Sequence, residues 1–157
     1  MKEYEYSFKV KNIKPYIDYC KSEGFIKISE NKQIRNWYQN DTKINARVTV
    51  NIINDTEKIV IDFKEEDCSD AILKNSRESL PLLVDNDMKA LNSILDILGY
   101  KENVHIERTR IVYKKDTVKF EIDKYIKPEK MCVVAIEGEK VIVDEIYDYI
   151  SNNIIDQ

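Results

Sequence analysis

The sequence predicts an α+β fold of antiparallel strands with flanking helices, and three observations point to it. Segments of alternating polar and apolar residues recur along the chain, beginning with MKEYEYSFKV at its start. Helical periodicity is confined to stretches near the beginning, the middle and the end. Gly and Pro number three each, too few for a sandwich of many short strands but compatible with long strands and polar turns.

Length and composition narrow the function classes. The 157 residues fit one domain spanning the whole chain, large enough to bury a core. With 43% hydrophobic and 34% charged residues the chain is globular rather than disordered. A net charge of −4 disfavours general nucleic-acid binding. No apolar run approaches the ~20 residues of a membrane span, and the start does not read as a signal peptide. Cys20, Cys68 and Cys132 are widely spaced and lack a CxxC pair, which predicts a reduced, cytoplasmic protein without a zinc framework. His105 is the single histidine, so acid–base work falls to carboxylates, Lys or Tyr.

In chain order, Asn12 caps a helix over Ile13–Ser22, with Pro15 in its first turn, Gly24 as its stop and Ile13, Tyr16, Ile17 and Cys20 as its apolar stripe. Phe25–Ile28 and Gln33–Tyr38 read as extended, and Asn40-Asp41 as a turn. Ile44–Ile53 and Lys58–Lys64 form a hairpin about Asn54-Asp55. Asp67–Ser79 is polar and ambiguous. Asp87 caps a helix over Met88–Leu98 that ends at Gly99. Val104–Tyr113, Thr117–Ile126 and Met131–Glu137 are strands, the first two joined at Lys114-Lys115-Asp116. Val141–Ile155 is an amphipathic helix with Ile146, Tyr149, Ile150 and Ile154 inward.

Each strand has an apolar face and a charged one, because side chains alternate with period two. The charged face of the first strand carries Glu3, Glu5, Ser7 and Lys9. Later strands place Arg47 with Thr49 and Asn51, Asp62 with Lys64, Arg108 with Arg110, Lys119 with Glu121 and Asp123, and Ala135 with Glu137. Two arrangements satisfy this pattern. One is an ordinary antiparallel sheet with a wet, salt-bridged face. The other is a closed barrel whose lumen carries Arg and Lys for phosphates and Glu and Asp for a divalent metal. A P-loop is excluded, since no GxxxxGK[ST] occurs. Trp37 and most of the tyrosines read as packing between strands and helices, the cysteines as small buried groups, His105 as a surface residue and Glu65-Glu66-Asp67 as a solvated turn.

Seven segments in order carry a resemblance. EYEYSFKV resembles the ExExK strand of the CYTH superfamily, the triphosphate tunnel enzymes, which include class IV adenylate cyclases, thiamine triphosphatases and inorganic triphosphatases. NWYQN at Asn36–Asn40 resembles that family's tyrosine-containing second strand, and NARVTV at Asn45–Val50 stands where it has RxR. IDFK at Ile61–Lys64 stands at TxK, ERTRIVY at Glu107–Tyr113 resembles KxRxxY, and FEIDKY followed by VVAIEGE resembles its aspartate and ExE strands.

The resemblance implies an antiparallel barrel, or triphosphate tunnel, of about eight strands with flanking helices. It implies divalent-metal-dependent hydrolysis of an inorganic, thiamine or nucleoside triphosphate, or cyclase-like chemistry on a nucleotide. Glu3, Glu5, Asp123 and Glu137 would hold Mg²⁺ or Mn²⁺, and Arg47, Lys64, Arg108 and Arg110 would grip the triphosphate. Glu3 and Glu5 would act in catalysis, joined by Lys9 in place of the family lysine, which is Ser7 here. A homodimer is compatible with such barrels. The chain also departs from the family at Thr49 (second Arg of RxR), Asp62 (Thr of TxK), Arg108 (Lys of KxR) and Ala135 (first Glu of ExE). Those departures keep two alternatives open: a non-catalytic tunnel that binds a nucleotide, polyphosphate or other anion, and a protein-interaction domain with a salt-bridged lumen.

Overall fold

A computed structural model describes residues 2–65, 72–85 and 87–155, without the side chains of Lys2, Glu3, Leu73, Lys74 and Asn75. The elements are β1 (Lys2–Val10), α1 (Lys14–Ser22), β2 (Ile26–Gln39), β3 (Ile44–Ile53), β4 (Thr56–Glu65), β5 (Leu73–Glu78), β6 (Leu82–Val84), α2 (Met88–Ile97), β7 (Lys101–Lys115), β8 (Val118–Lys127), β9 (Met131–Gly138) and α3 (Lys140–Asn153). Strands pair in the order β3-β2-β7-β8-β9-β1-β5-β4, and β4 pairs back to β3. The result is a nearly closed antiparallel barrel of eight strands, with β6 hydrogen-bonded to β4 outside the ring. The seam is β4–β5, joined among the described residues through Lys64↔Glu78 and Glu65↔Arg77.

Turn chemistry fixes two hairpins. Asn54 and Asp55 take positive φ of 50° and 62°, the conformation a tight two-residue turn needs and one that Asn and Asp tolerate. Asp116 does the same at 52° between β7 and β8. The predicted Lys114-Lys115-Asp116 loop is shorter than expected, because β7 runs on through Lys115. Gly138 ends β9 at φ 150°, where a Cβ would come 2.6 Å from the Thr117 carbonyl oxygen, so that site excludes larger residues.

The structure differs from the sequence-based expectation at four places. The extended segments Phe25–Ile28 and Gln33–Tyr38 are one strand, β2, carried past polar Ser29–Lys32 by a register shift at Lys27/Ser29. Ile13, not Asn12, holds the N-cap position of α1; Asn12 Oδ1 instead accepts the Lys14 N–H at 3.0 Å. The ambiguous region contains β5, and β6 follows it. In α3, Val143 and Ile150 are buried while Tyr149 is half exposed. The cap at Asp87 stands as expected, accepting from the Ala90 N–H at 3.1 Å.

Apolar faces point outward, to the helices. Phe120, Ile122, Val134 and Ile136 are fully buried beneath Tyr16 and Cys20 of α1 and Val143 and Ile150 of α3. Tyr6 stacks on Tyr147 at 4.0 Å between ring centroids. Ala46, Val48 and Ile61 form a smaller core with Leu95 of α2. Burial drives the Cys20 thiol up to about 12. Cys68 and the Glu66-Asp67 part of the predicted turn lie outside the described residues. Among the described residues no helix is long and apolar enough to cross a membrane. With both cores outside the ring, the polar faces are left to line its interior.

Candidate functional site

Because the barrel closes on its charged faces, side chains far apart in sequence share one cavity of about 350 Å³. Of the residues expected there, Glu5, Arg47, Lys64, Arg108, Arg110, Asp123 and Glu137 all line it. Glu3 belongs to β1, but its side chain lies outside the described residues. Lys9 is not in the cavity; it is exposed and borders a groove with Asn12, Pro15 and Ile154. Lys119 of β8 lines the cavity instead, with its Nζ 2.8 Å from Glu137 Oε1.

The acidic corner is built by β1, β8 and β9. Register sets Glu5 opposite Glu137, and Ala135 opposite both Ser7 and Glu121. One carboxylate oxygen each from Glu5, Glu121 and Glu137 falls within 4.8 Å of the others. Burial, the Glu121 charge and Glu5 push Glu137 up to about 8, against the pull of Lys119. Burial also opposes ionisation of Glu121, but Arg110, Lys119, Arg108 and Arg35 hold it down at about 2. Crowded carboxylates that must share a proton are a donor set that a hard divalent cation fits.

Asp123 lines the cavity as expected, but its carboxylate is engaged by an arginine. It is buried, and Arg110 grips both its oxygens, Nε–Oδ1 at 2.8 Å and Nη2–Oδ2 at 2.9 Å. Arg110 Nη1 also donates to Glu121 Oε2 at 2.9 Å. Glu121, two residues earlier on the same face, therefore completes the acidic triad.

The basic corner is largely engaged by its own carboxylates. Arg47 makes a bidentate pair with Asp62, Nε–Oδ1 at 2.9 Å, and lies 3.5 Å from Glu78, which Lys64 also approaches at 3.4 Å. Arg108 donates to Gln33 and to the Tyr125 hydroxyl, each at 2.9 Å, and stands 3.7 Å from Asp123. Trp37, expected between strands and helices, faces the cavity, with the Arg47 guanidinium carbon 5.3 Å from its ring centroid. Arg35 was not anticipated. It lines the cavity between Gln33 and Trp37 on β2, and that strand's alternation, broken in the sequence by Ser29–Lys32, was the available signal.

No protein-family model matches the sequence, and none of the curated proteins matches it. Solved structures do match. The PH1012 protein of Pyrococcus horikoshii aligns over 95% of this chain and 90% of its own, at 22% identity and a TM-score of 0.76. The Hippeastrum protein HpAC1, named for an adenylyl cyclase and described as having a dominant triphosphatase activity, aligns over 96% and 87% at 10% identity and 0.66. A chain of the Schizosaccharomyces pombe Mediator head module aligns over 98% and 96% at 8% identity and 0.71. At these identities the likeness establishes the shared barrel fold. The presence of a Mediator chain among the matches means that the barrel alone does not specify an activity.

Proposed function

We propose that this chain is a divalent-metal-dependent phosphohydrolase that takes a triphosphate-containing small molecule into its barrel. The observation that carries the reading is the convergence of three carboxylates within 4.8 Å of one another in a cavity that several guanidinium groups also line. Glu5, Glu121 and Glu137 stand together on β1, β8 and β9, and Arg35, Arg47 and Arg108 come from β2, β3 and β7. A metal-bound polyphosphate has the complementary pattern. Glu5, Glu121 and Glu137 would hold Mg²⁺ or Mn²⁺, and Glu3 remains a proposed fourth member. A bound divalent cation would neutralise charge on the phosphate oxygens. The guanidinium groups of Arg35 and Arg108 would orient the anion through N–H donors, and Lys119 would supply the positive charge missing at Ser7. The Hippeastrum neighbour with triphosphatase activity supports this class of substrate.

A second reading is a non-catalytic anion-binding tunnel. The observation favouring it is that Arg47 and Arg110, two of the expected substrate ligands, are already ion-paired with Asp62 and Asp123. Phosphate release from tripolyphosphate, thiamine triphosphate and nucleoside triphosphates, with Mg²⁺ or Mn²⁺, decides between them. Turnover that is lost in Glu5→Gln and Glu137→Gln is the expected result. Saturable binding without turnover would select the second reading, and neither binding nor turnover would remove both.

A further inference from the structure

Most cations of the cavity have a carboxylate partner: Arg47 has Asp62, Lys64 has Glu78, Arg110 has Asp123 and Glu121, and Lys119 has Glu137. Arg35 differs. Its Nε donates to Thr49 Oγ1 at 2.8 Å, and among the described residues no carboxylate lies within ion-pairing distance of it. Burial, followed by the nearby charges of Arg108, Arg47 and Arg110, drives its pKa well below the usual guanidinium value, with Asp62 opposing. A desolvated guanidinium among other guanidinium groups is unfavourable unless an anion joins it.

Two buried donors on residues that line the same cavity have no partner among the described residues. Arg108 is 3% exposed, yet its Nη2 has no hydrogen-bond partner, and neither has the buried Nε1 of Trp37. Both residues line the cavity with Arg35. Every one of these groups is a donor, so what satisfies them must bring acceptor oxygens. Buried donors without acceptors are rare in proteins, and an acceptor from outside the chain, whether water or a ligand, would satisfy them.

We propose that Arg35, assisted by Arg108 and Trp37 of the same cavity lining, is the principal anchor for a phosphoryl oxyanion, while Arg47 and Arg110 serve mainly as internal ion pairs. This rests on the reading of the barrel as a polyphosphate site and names which residues of this chain make it one. The register explains how the charge was kept. Thr49 stands where the similar tunnel motif has its second arginine, and Arg35 is directly opposite Thr49 on the adjoining strand. The Arg35 guanidinium thus stands across the β2–β3 ladder from Thr49 and lines the same lumen.

The test is calorimetric titration of inorganic tripolyphosphate into wild type, Arg35→Gln and the swap Arg35→Thr with Thr49→Arg, together with the melting temperature of each without ligand. Loss of a charge-assisted contact should weaken binding by Arg35→Gln about tenfold or more. The swap should recover most of that loss. Ligand-free Arg35→Gln should melt no lower than wild type, because an unneutralised charge has been removed; a merely structural Arg35 would give a lower melting temperature. Equal affinity of wild type and Arg35→Gln overturns this assignment and leaves the polyphosphate reading standing. Absence of tripolyphosphate binding by wild type overturns both. If Arg35→Gln does not fold, the swap decides: wild-type affinity supports the assignment and tenfold weaker binding by a folded swap overturns it.

Discussion

Glu121 on β8 lies directly opposite Ala135 on β9, and Ala135 is in turn opposite Ser7 on β1. Ala135 is 5% exposed and lines the same cavity as Glu121, the carboxylate that joins Glu5 and Glu137. A Glu at position 135 would bring another carboxylate into that corner.

Ala135→Glu should therefore lower stability by about 3 kcal/mol without metal, through an added buried charge and overpacking. Combining it with Glu121→Ala should recover much of the loss. A double-mutant cycle in denaturant should give a coupling of roughly 1–3 kcal/mol, since the two residues share one space. Simple additivity would show that Glu121 does not occupy the place a Glu at 135 would need.

The pH dependence of the empty barrel follows from Glu137. Its carboxyl is raised to about 8, so between the ordinary carboxyl range and pH 8 the folded state binds more protons than the unfolded chain. Stability, measured with chelator present, should fall as pH rises through that window and level off above it. Glu121, held down at about 2, acts oppositely: its contribution is present above the ordinary carboxyl range and is lost on acidification towards pH 2. Glu137→Gln should flatten the decline toward pH 8. An unchanged slope in that variant would assign the dependence to another group.

Asp62 neutralises Arg47 at the position where the similar tunnel motif has threonine. Asp62→Thr should cost the ligand-free protein about 3 kcal/mol, because it removes one partner of a buried pair, though Glu78 at 3.5 Å softens the loss. The same variant should bind tripolyphosphate more tightly, with Arg47 released toward the cavity. Chemical denaturation and calorimetry give the two numbers; weaker binding in a folded variant would mean that Asp62 positions Arg47 for the anion instead of competing with it.

Much of this architecture was legible because alternation and turn chemistry agree. Ile44–Ile53 and its partner were readable since Asn54 and Asp55 suit the positive φ of a tight turn. The charged faces were readable for the same reason, which is why seven of the expected site residues share the cavity. β5 and β6 were not: one is a polar six-residue strand and the other has three residues, too short to show a period. The proposed roles of Arg35 and Glu121 depend on cross-strand register, Arg35↔Thr49 and Glu121↔Ala135, which one sequence does not encode locally. Lys9 followed the alternation of β1 but lies one step too far along the strand, beyond the cavity.

Trp37 is the sole tryptophan of the chain and lines the cavity, so its emission reports from inside the proposed site. The most direct measurement is a fluorescence titration of wild type with tripolyphosphate, with and without Mn²⁺. The account predicts a saturable change in Trp37 emission at one equivalent of anion, and tighter binding with Mn²⁺ that is lost in Glu137→Gln. Emission unaltered by millimolar tripolyphosphate, with calorimetry showing no binding under either condition, would contradict the claim that this barrel is a polyphosphate site.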